Sequence, residues 1–316
     1  MNTGTSRGCL LGAAVGDALG APVEFLTLDQ IRDKYGENGI EDFDAMKGLK
    51  PGAYTDDTQM TLATAVGCIR HRQTCKDGKK CDFNTVVYQE YLEWSEMQKN
   101  PDYRRAPGNT CLGALGSGKM GTVDKRINDS KGCGGVMRTA PIGIAYLPGE
   151  AFQYGVEAAA ITHGHPSGFL PAGFLAEMIA RVFDGAELED AVDLCSDLLK
   201  KQSDHEETLD KINLARELVA KGKPADTAIP LIGEGWVGHE ALAIALYCCL
   251  NFPADWLKAV LAAVNITGDS DSTGSITGAV LGTMHGERAI PGKLVNNVEN
   301  KGLIIKIAED LFKVRK

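Results

Sequence analysis

The stretch Arg7-Gly8-Cys9-Leu10-Leu11-Gly12-Ala13-Ala14-Val15-Gly16-Asp17-Ala18-Leu19-Gly20-Ala21-Pro22-Val23-Glu24 is apolar almost all round a helical projection. A surface helix carries one apolar stripe, whereas a helix apolar on every side is surrounded by other elements. Residues 7–24 are therefore expected to form a central helix whose glycines allow close packing, with Glu24 where the run ends. Outward from it, helical spacing is found over 58–71 and 84–98, the latter carrying Val86, Val87, Tyr91 and Trp94. Between Asn100 and Lys131 the pattern breaks: Pro101, Pro107, Gly108, Gly113, Gly116, Gly118 and Gly121 punctuate a segment suited to loops around a ligand. Helical spacing resumes at 136–147, 150–162, 167–183, 187–201, 206–221, 237–250, 254–265, 273–286 and 293–313. Few stretches alternate with period two, and no fixed-period repeat is present. The expectation is an all-α, compact, single-domain helical bundle over residues 1–316.

Composition narrows the function. Of the 316 residues 44% are hydrophobic and 24% charged, as in an ordinary globular protein. The net charge of −9 excludes a nucleic-acid footprint, and any phosphate must be held by backbone N–H groups, helix N-termini or metal. The nine cysteines are odd in number and several lie in apolar runs, which points to reduced thiols and a cytoplasmic location. No run reaches the ~18–20 apolar residues that span a bilayer, so no membrane partner is expected. A monomer is expected.

Two acidic clusters carry the chemistry: Tyr54-Thr55-Asp56-Asp57-Thr58-Gln59 and Gly268-Asp269-Ser270-Asp271-Ser272-Thr273-Gly274. Each precedes a helix-like run, and either alone could be an N-cap, for which Asp, Ser and Thr are favoured. Together they offer four carboxylates and several hydroxyls, more than capping needs. Hard oxygen donors suit Mg²⁺, Mn²⁺ or Ca²⁺. Brought together, the clusters could hold a pair of ions roughly 3.5–4 Å apart.

These clusters sit among further collinear pieces: Arg7 to Gly12, Gly16 to Phe25, Gly132-Cys133-Gly134-Gly135-Val136-Met137-Arg138, Thr162-His163-Gly164-His165-Pro166, and Gly233 to Leu246. With them the chain resembles the ADP-ribosylglycohydrolase family over almost its whole length. The resemblance implies a helical fold with a binuclear metal cleft and two Mg²⁺, with Mn²⁺ a possible substitute. It implies Thr55, Asp56, Asp57, Asp269, Asp271 and Ser272 as metal ligands, the last standing where many relatives carry Thr. Glu24, with Asp56 and Asp271, would be catalytic, Glu24 lying on a mobile loop near the metals; a solvated helix-end Glu is the plainer alternative. Asp17 reads as a supporting residue.

Substrate contacts follow in the same way. The stretch from Gly132 to Arg138 offers unhindered N–H groups that could cradle a diphosphate, although a plain turn is a commoner reading of such glycines. The resemblance puts the diphosphate and neighbouring ribose at Gly132, Gly134, Gly135 and Met137, and His163 near the ribose. Cys133 stands where relatives often have Asn. Gly108, Asn109 and Thr110, with Trp236, would line the adenosine end, although Trp236 could equally be core. The expected reaction is hydrolysis of the glycosidic bond between ADP-ribose and a protein side chain, arginine above serine, releasing ADP-ribose. Rival expectations are a hydrolase of O-acetyl-ADP-ribose or a small nucleotide, and a non-catalytic ADP-ribose-binding relative.

Overall fold

The computed structural model describes residues 2–46 and 48–315. Along the first half run α1 (Thr3–Gly20), α2 (Leu28–Tyr35), α3 (Asp56–Lys76), α4 (Phe83–Met97), α5 (Asn109–Gly116), α6 (Ala140–Ala145) and α7 (Ala151–Ala160). There follow α8 (Pro166–Phe183), α9 (Leu188–Leu199), α10 (Glu206–Ala220), α11 (Ala225–Ile232), α12 (Gly238–Asn251), α13 (Trp256–Val264), α14 (Ser270–His285), α15 (Gly292–Asn297) and α16 (Lys301–Val314). Among the described residues there is no sheet, only the isolated bridges Met46–Leu49 and Gly132–Val237. The fold is all-α, as expected.

At its centre α1 packs antiparallel on α14, backbone against backbone. Gly8, Gly12, Gly16 and Gly20 face Gly282, Gly278, Gly274 and Ser270 in turn. A Cβ on Gly12 would lie 2.1 Å from the Gly278 carbonyl oxygen, and one on Gly282 would lie 2.0 Å from that of Gly8. Such contact leaves no room for any side chain but hydrogen. Cys9 to Gly20 are buried throughout, and α8 buries every residue but Arg181. The core around α1 and α14 draws on α3, α6, α8 and α12, with α16 closing one side. A smaller apolar cluster, including Ala215, Leu218, Ile229, Ile244 and Tyr247, joins α10, α11 and α12.

Four expectations need correction. The first helix stops at Gly20, short of residue 24: Pro22 has no N–H to continue the ladder, and Val23 N–H turns back to the Gly20 carbonyl at 2.9 Å. The 293–313 segment is two helices, because Asn300 adopts a left-handed φ of 51° and Glu299 N–H bonds Gly52 O at 2.9 Å. Residues 136–139 do not join α6; a short 3₁₀ turn, Cys133–Gly135, precedes them. The 100–131 segment is not all loop, since α5 lies in it, burying Cys111, Ala114 and Leu115. Helices α2 and α11 had no apolar periodicity to show: each is eight residues long. The Thr27/Gln30 capping box, in which each side chain bonds the other's N–H, is the sequence signal that marks α2.

The α1–α14 contact yields a stability test. Gly12→Ala and Gly278→Ala each should destabilise the fold by about 1–3 kcal/mol or more, measured by chemical denaturation. Gly302→Ala, where an added Cβ meets nothing within 4 Å, should cost nothing.

Candidate active site

The packing of α1 on α14 fixes the geometry of the site. Because the two run antiparallel, the C-terminal end of α1 and the N-terminal end of α14 lie at the same end of the core. Asp17, fully buried in α1, then fastens the first turn of α3 alongside them. Its carboxylate accepts from Thr55 N–H at 3.0 Å, from Thr58 N–H at 3.0 Å and from the Thr58 hydroxyl at 2.5 Å. The acid cluster at the start of α3 and that at the start of α14 therefore meet, although more than two hundred residues of sequence lie between them.

They meet in a cavity of ≈ 240 Å³ whose lining includes Asp56, Asp57, Asp269, Asp271 and Ser272. Asp56 accepts from Gly108 N–H at 3.2 Å. Asp269 caps α14 by accepting from Ser272 N–H at 3.3 Å, and accepts from the Cys133 thiol at 2.6 Å. Asp271 also accepts from Ser272 N–H, at 2.9 Å. Capping and clustering thus coexist in α14.

Burial, above all, pushes the carboxyls of Asp56, Asp57 and Asp269 well above the ordinary range, with mutual repulsion adding to it. Burial and the Asp271 charge raise Asp17 in the same way, to about 7. Asp57 Oδ2 is buried with no hydrogen-bond partner. Unpaired, buried, mutually repelling carboxylates fit a hard divalent cation, which would hold them ionised together. Among the described residues no three His, Cys, Asp or Glu side chains are placed together so that they could hold a metal ion as they stand.

The remaining predicted residues are placed as follows. Glu24, in the turn after α1, lines the cavity with Gly108, Asn109, Gly132, Gly134, Met137, His163 and Trp236. Two do not. Gly135 is turned away: an added Cβ would sit 2.6 Å from the Gly168 carbonyl, so its absence of side chain serves the approach to α8. Thr55 is the buried N-cap of α3, where its Oγ1 accepts from Asp57 N–H at 3.2 Å. Nor is the glycine turn wholly unengaged, because Gly132 N–H bonds the Ser130 hydroxyl at 3.2 Å and Cys133 N–H bonds Trp236 O at 3.1 Å. Trp236 is a rim residue rather than core. It is 38% exposed, and its ring stacks on that of Phe25 at 5.7 Å, joining the turn that carries Glu24 to the loop before α12.

Ala106 and Cys111 line the cavity without having been anticipated, and nothing in their local sequence marks them. Asn109 and Thr110 also line a neighbouring open cavity of ≈ 340 Å³ bounded by α5 and residues 127–130, so the two spaces adjoin. Deeper, fully buried Arg138 donates to Ala158 O at 3.1 Å and lies 4.2 Å over the Tyr91 ring. Burial first, and the Arg138 charge second, hold His163 down to about 3, so its imidazole is neutral.

The family model described as ADP-ribosylglycohydrolase matches residues 5–316. The chain belongs to the ADP-ribosylglycohydrolase family. Similar members include the ADP-ribosyl-[dinitrogen reductase] glycohydrolase of Rhodospirillum rubrum, 27% identical over 300 residues that cover 93% of this chain and 90% of that protein. The ADP-ribosylarginine hydrolase Tri1 of Serratia proteamaculans is 26% identical over 97% of this chain and 78% of its own length. The ADP-ribosylhydrolase ARH3 of Bos taurus is 24% identical over 98% of this chain and 92% of its own. A solved structure titled ADP-ribosylglycohydrolase-related protein complex superposes with a TM-score of 0.74 at 23% identity, covering 99% of both chains, and so shares the fold of this family member. Among the described residues, no helix is long and apolar enough to cross a membrane.

Asp17 is the testable hinge of this geometry. Asp17→Ala would orphan three buried donors at the start of α3, each worth about 1–3 kcal/mol when left unsatisfied. Denaturant unfolding should show a loss of about 3 kcal/mol or more, with Asp17→Asn, which keeps one acceptor oxygen, losing less.

Proposed function

We propose that this protein hydrolyses the N-glycosidic bond joining ADP-ribose to a modified arginine side chain of a protein, releasing ADP-ribose. One observation carries the reading: Asp56, Asp57, Asp269, Asp271 and Glu24, drawn from both ends of the chain, share one cavity. Arginine is favoured over other linkages by the Serratia relative, an ADP-ribosylarginine hydrolase matched over 97% of this chain. The adjoining cavity past Asn109 and Thr110 suits an elongated ligand.

The donor set fits two divalent cations, taken as Mg²⁺ with Mn²⁺ able to substitute, and Thr55, Asp56, Asp57, Asp269, Asp271 and Ser272 would hold them. Bound there, such cations supply Lewis acidity toward the ribose hydroxyls and water.

The chain's own residues do the rest. Cleavage passes through an oxocarbenium-like state, and carboxylates close to the anomeric carbon favour that positive charge. Glu24, half-buried at the cavity edge, handles the proton: its carboxylate takes one from the attacking water or its acid form gives one to the leaving nitrogen. Gly132, Gly134 and Met137 bed the diphosphate and ribose, His163 contacts the ribose, and Gly108, Asn109 and Trp236 border the adenosine end. The free cysteines fit a reducing cytoplasm. The whole chain acts as one domain and, we infer, as a monomer.

Incubation with ADP-ribosyl-arginine and ADP-ribosyl-serine peptides, with Mg²⁺ and then with EDTA, tests this by release of free ADP-ribose. Release from the arginine peptide should stop in EDTA and in Asp271→Ala. Release from neither peptide, while ADP-ribose still binds, would move the activity to small-molecule linkages or to binding alone. For Glu24→Gln, kcat should fall about 10²–10⁴-fold, the usual contribution of a general acid or base, with KM little changed.

A further inference from the structure

Behind the cavity wall a chain of three buried side chains links α7, the following turn and the glycine-rich turn. Arg138, Thr162 and His163 are 0%, 0% and 1% exposed. Arg138 Nη2 donates to Thr162 Oγ1 at 2.6 Å, and Thr162 Oγ1 lies 2.8 Å from His163 Nδ1. A guanidinium is a donor only, so the threonine oxygen must accept from it. The hydroxyl then has one hydrogen to give. Its available acceptors are the imidazole Nδ1 and the neighbouring Cys111 sulfur, and sulfur is the weak one. Donation to Nδ1 makes that nitrogen an acceptor, and a neutral ring then carries its proton on Nε2.

The other edge of the ring faces the site. Nε2 would lie 3.3 Å from a Cβ on Gly132 and 3.2 Å from one on Gly134, which places it against the glycine turn that lines the cavity. The backbone on both sides of His163 is clamped as well. Asn128 Nδ2 donates to Thr162 O at 2.8 Å, and Asn128 Oδ1 accepts from Gly164 N–H at 2.9 Å. Arg138 is itself held, by Ala158 O and the Tyr91 ring.

We propose that Arg138 and Thr162 are positioning residues that lock His163 in one tautomer, a neutral imidazole whose Nε2–H is a fixed donor to a ligand oxygen in the cavity. A hydroxyl or phosphate oxygen is the matching acceptor. A donor frozen in this way needs no reorganisation when ligand arrives, and a neutral one adds no cation to compete with metal among the carboxylates. The identity of the ligand rests on the ADP-ribose reading above, whereas the tautomer does not.

The experiment is accordingly in two arms. Long-range ¹H–¹⁵N correlation of the ligand-free protein at neutral pH reads the two ring nitrogens of His163 directly. Nδ1 should resonate as an unprotonated nitrogen and Nε2 as a protonated one. Thr162→Val, which removes the hydroxyl at nearly constant volume, should populate the other tautomer, and Thr162→Ser should keep the wild-type pattern. A protonated Nδ1 in the wild type overturns the proposal, as does an unchanged tautomer in Thr162→Val or a valine-like pattern in Thr162→Ser. In the second arm, calorimetric ADP-ribose affinity should fall about tenfold in Thr162→Val, the effect of one lost hydrogen bond, and be retained in Thr162→Ser. Equal affinity in wild type and Thr162→Val would overturn the ligand-facing role. Absence of ADP-ribose binding to every form would count against the ADP-ribose reading, with the resonances still deciding the tautomer.

Discussion

The structure depends on one contact, the backbone-to-backbone packing of α1 on α14. Glycines every fourth residue on both helices remove the side chains that would otherwise hold two helix axes about 8–10 Å apart. Close approach brings many atoms to van der Waals distance, each weak and together large. Its consequence for the site is geometric. The first and last thirds of the chain are held in one orientation, with the end of α1 beside the start of α14. Glu24 continues from one partner and Asp269 and Asp271 begin the other. The acidic cavity is the open end of this helix pair.

That rigid base carries an electrostatic load. Carboxylates buried side by side destabilise a fold unless something compensates for their charge. The protein compensates in part with its own donors: three hydrogen bonds to Asp17, backbone N–H groups to Asp56, Asp269 and Asp271, and the Cys133 thiol. Asp57 Oδ2 has no such donor. The site is thus built short of positive charge, an arrangement that makes sense when a cation completes it. The buried guanidinium of Arg138, behind the wall, is directed at Thr162 and a carbonyl rather than at the aspartates. Burial in the first place, and this positive charge in the second, keep the His163 imidazole neutral.

Much of this was legible in the sequence. A run such as 7–24, apolar on every side, can satisfy its surface only at the centre of a helical fold. Paired acids flanked by hydroxyls at both ends of the chain point to oxygen ligation, and the glycine-rich and His-containing pieces fall at the cavity. The misreadings are local. Short helices such as α2 and α11 make too few turns for periodicity to register, and α5 hides among prolines and glycines whose role in the tertiary structure differs from that in isolated turns. Gly135 looked like part of a phosphate cradle because a glycine that admits ligand and a glycine that admits a neighbouring helix are the same letter. Trp236 was open between core and rim, and its stack on Phe25 decides for the rim.

The sequence by itself determined the class of fold, the presence of two acidic clusters and the hard-donor chemistry they imply, because these follow from hydrophobic periodicity and functional-group type, both local properties. Only the tertiary structure decided that the clusters share a cavity, that Asp17 ties α3 to α1, that Gly135 packs toward α8, and that Arg138 and Thr162 stand behind His163. Those facts concern distances between residues far apart in the chain, or the direction a side chain takes once its neighbours are packed. They are set by which backbones can approach closely, and that is resolved only when the helices are in contact.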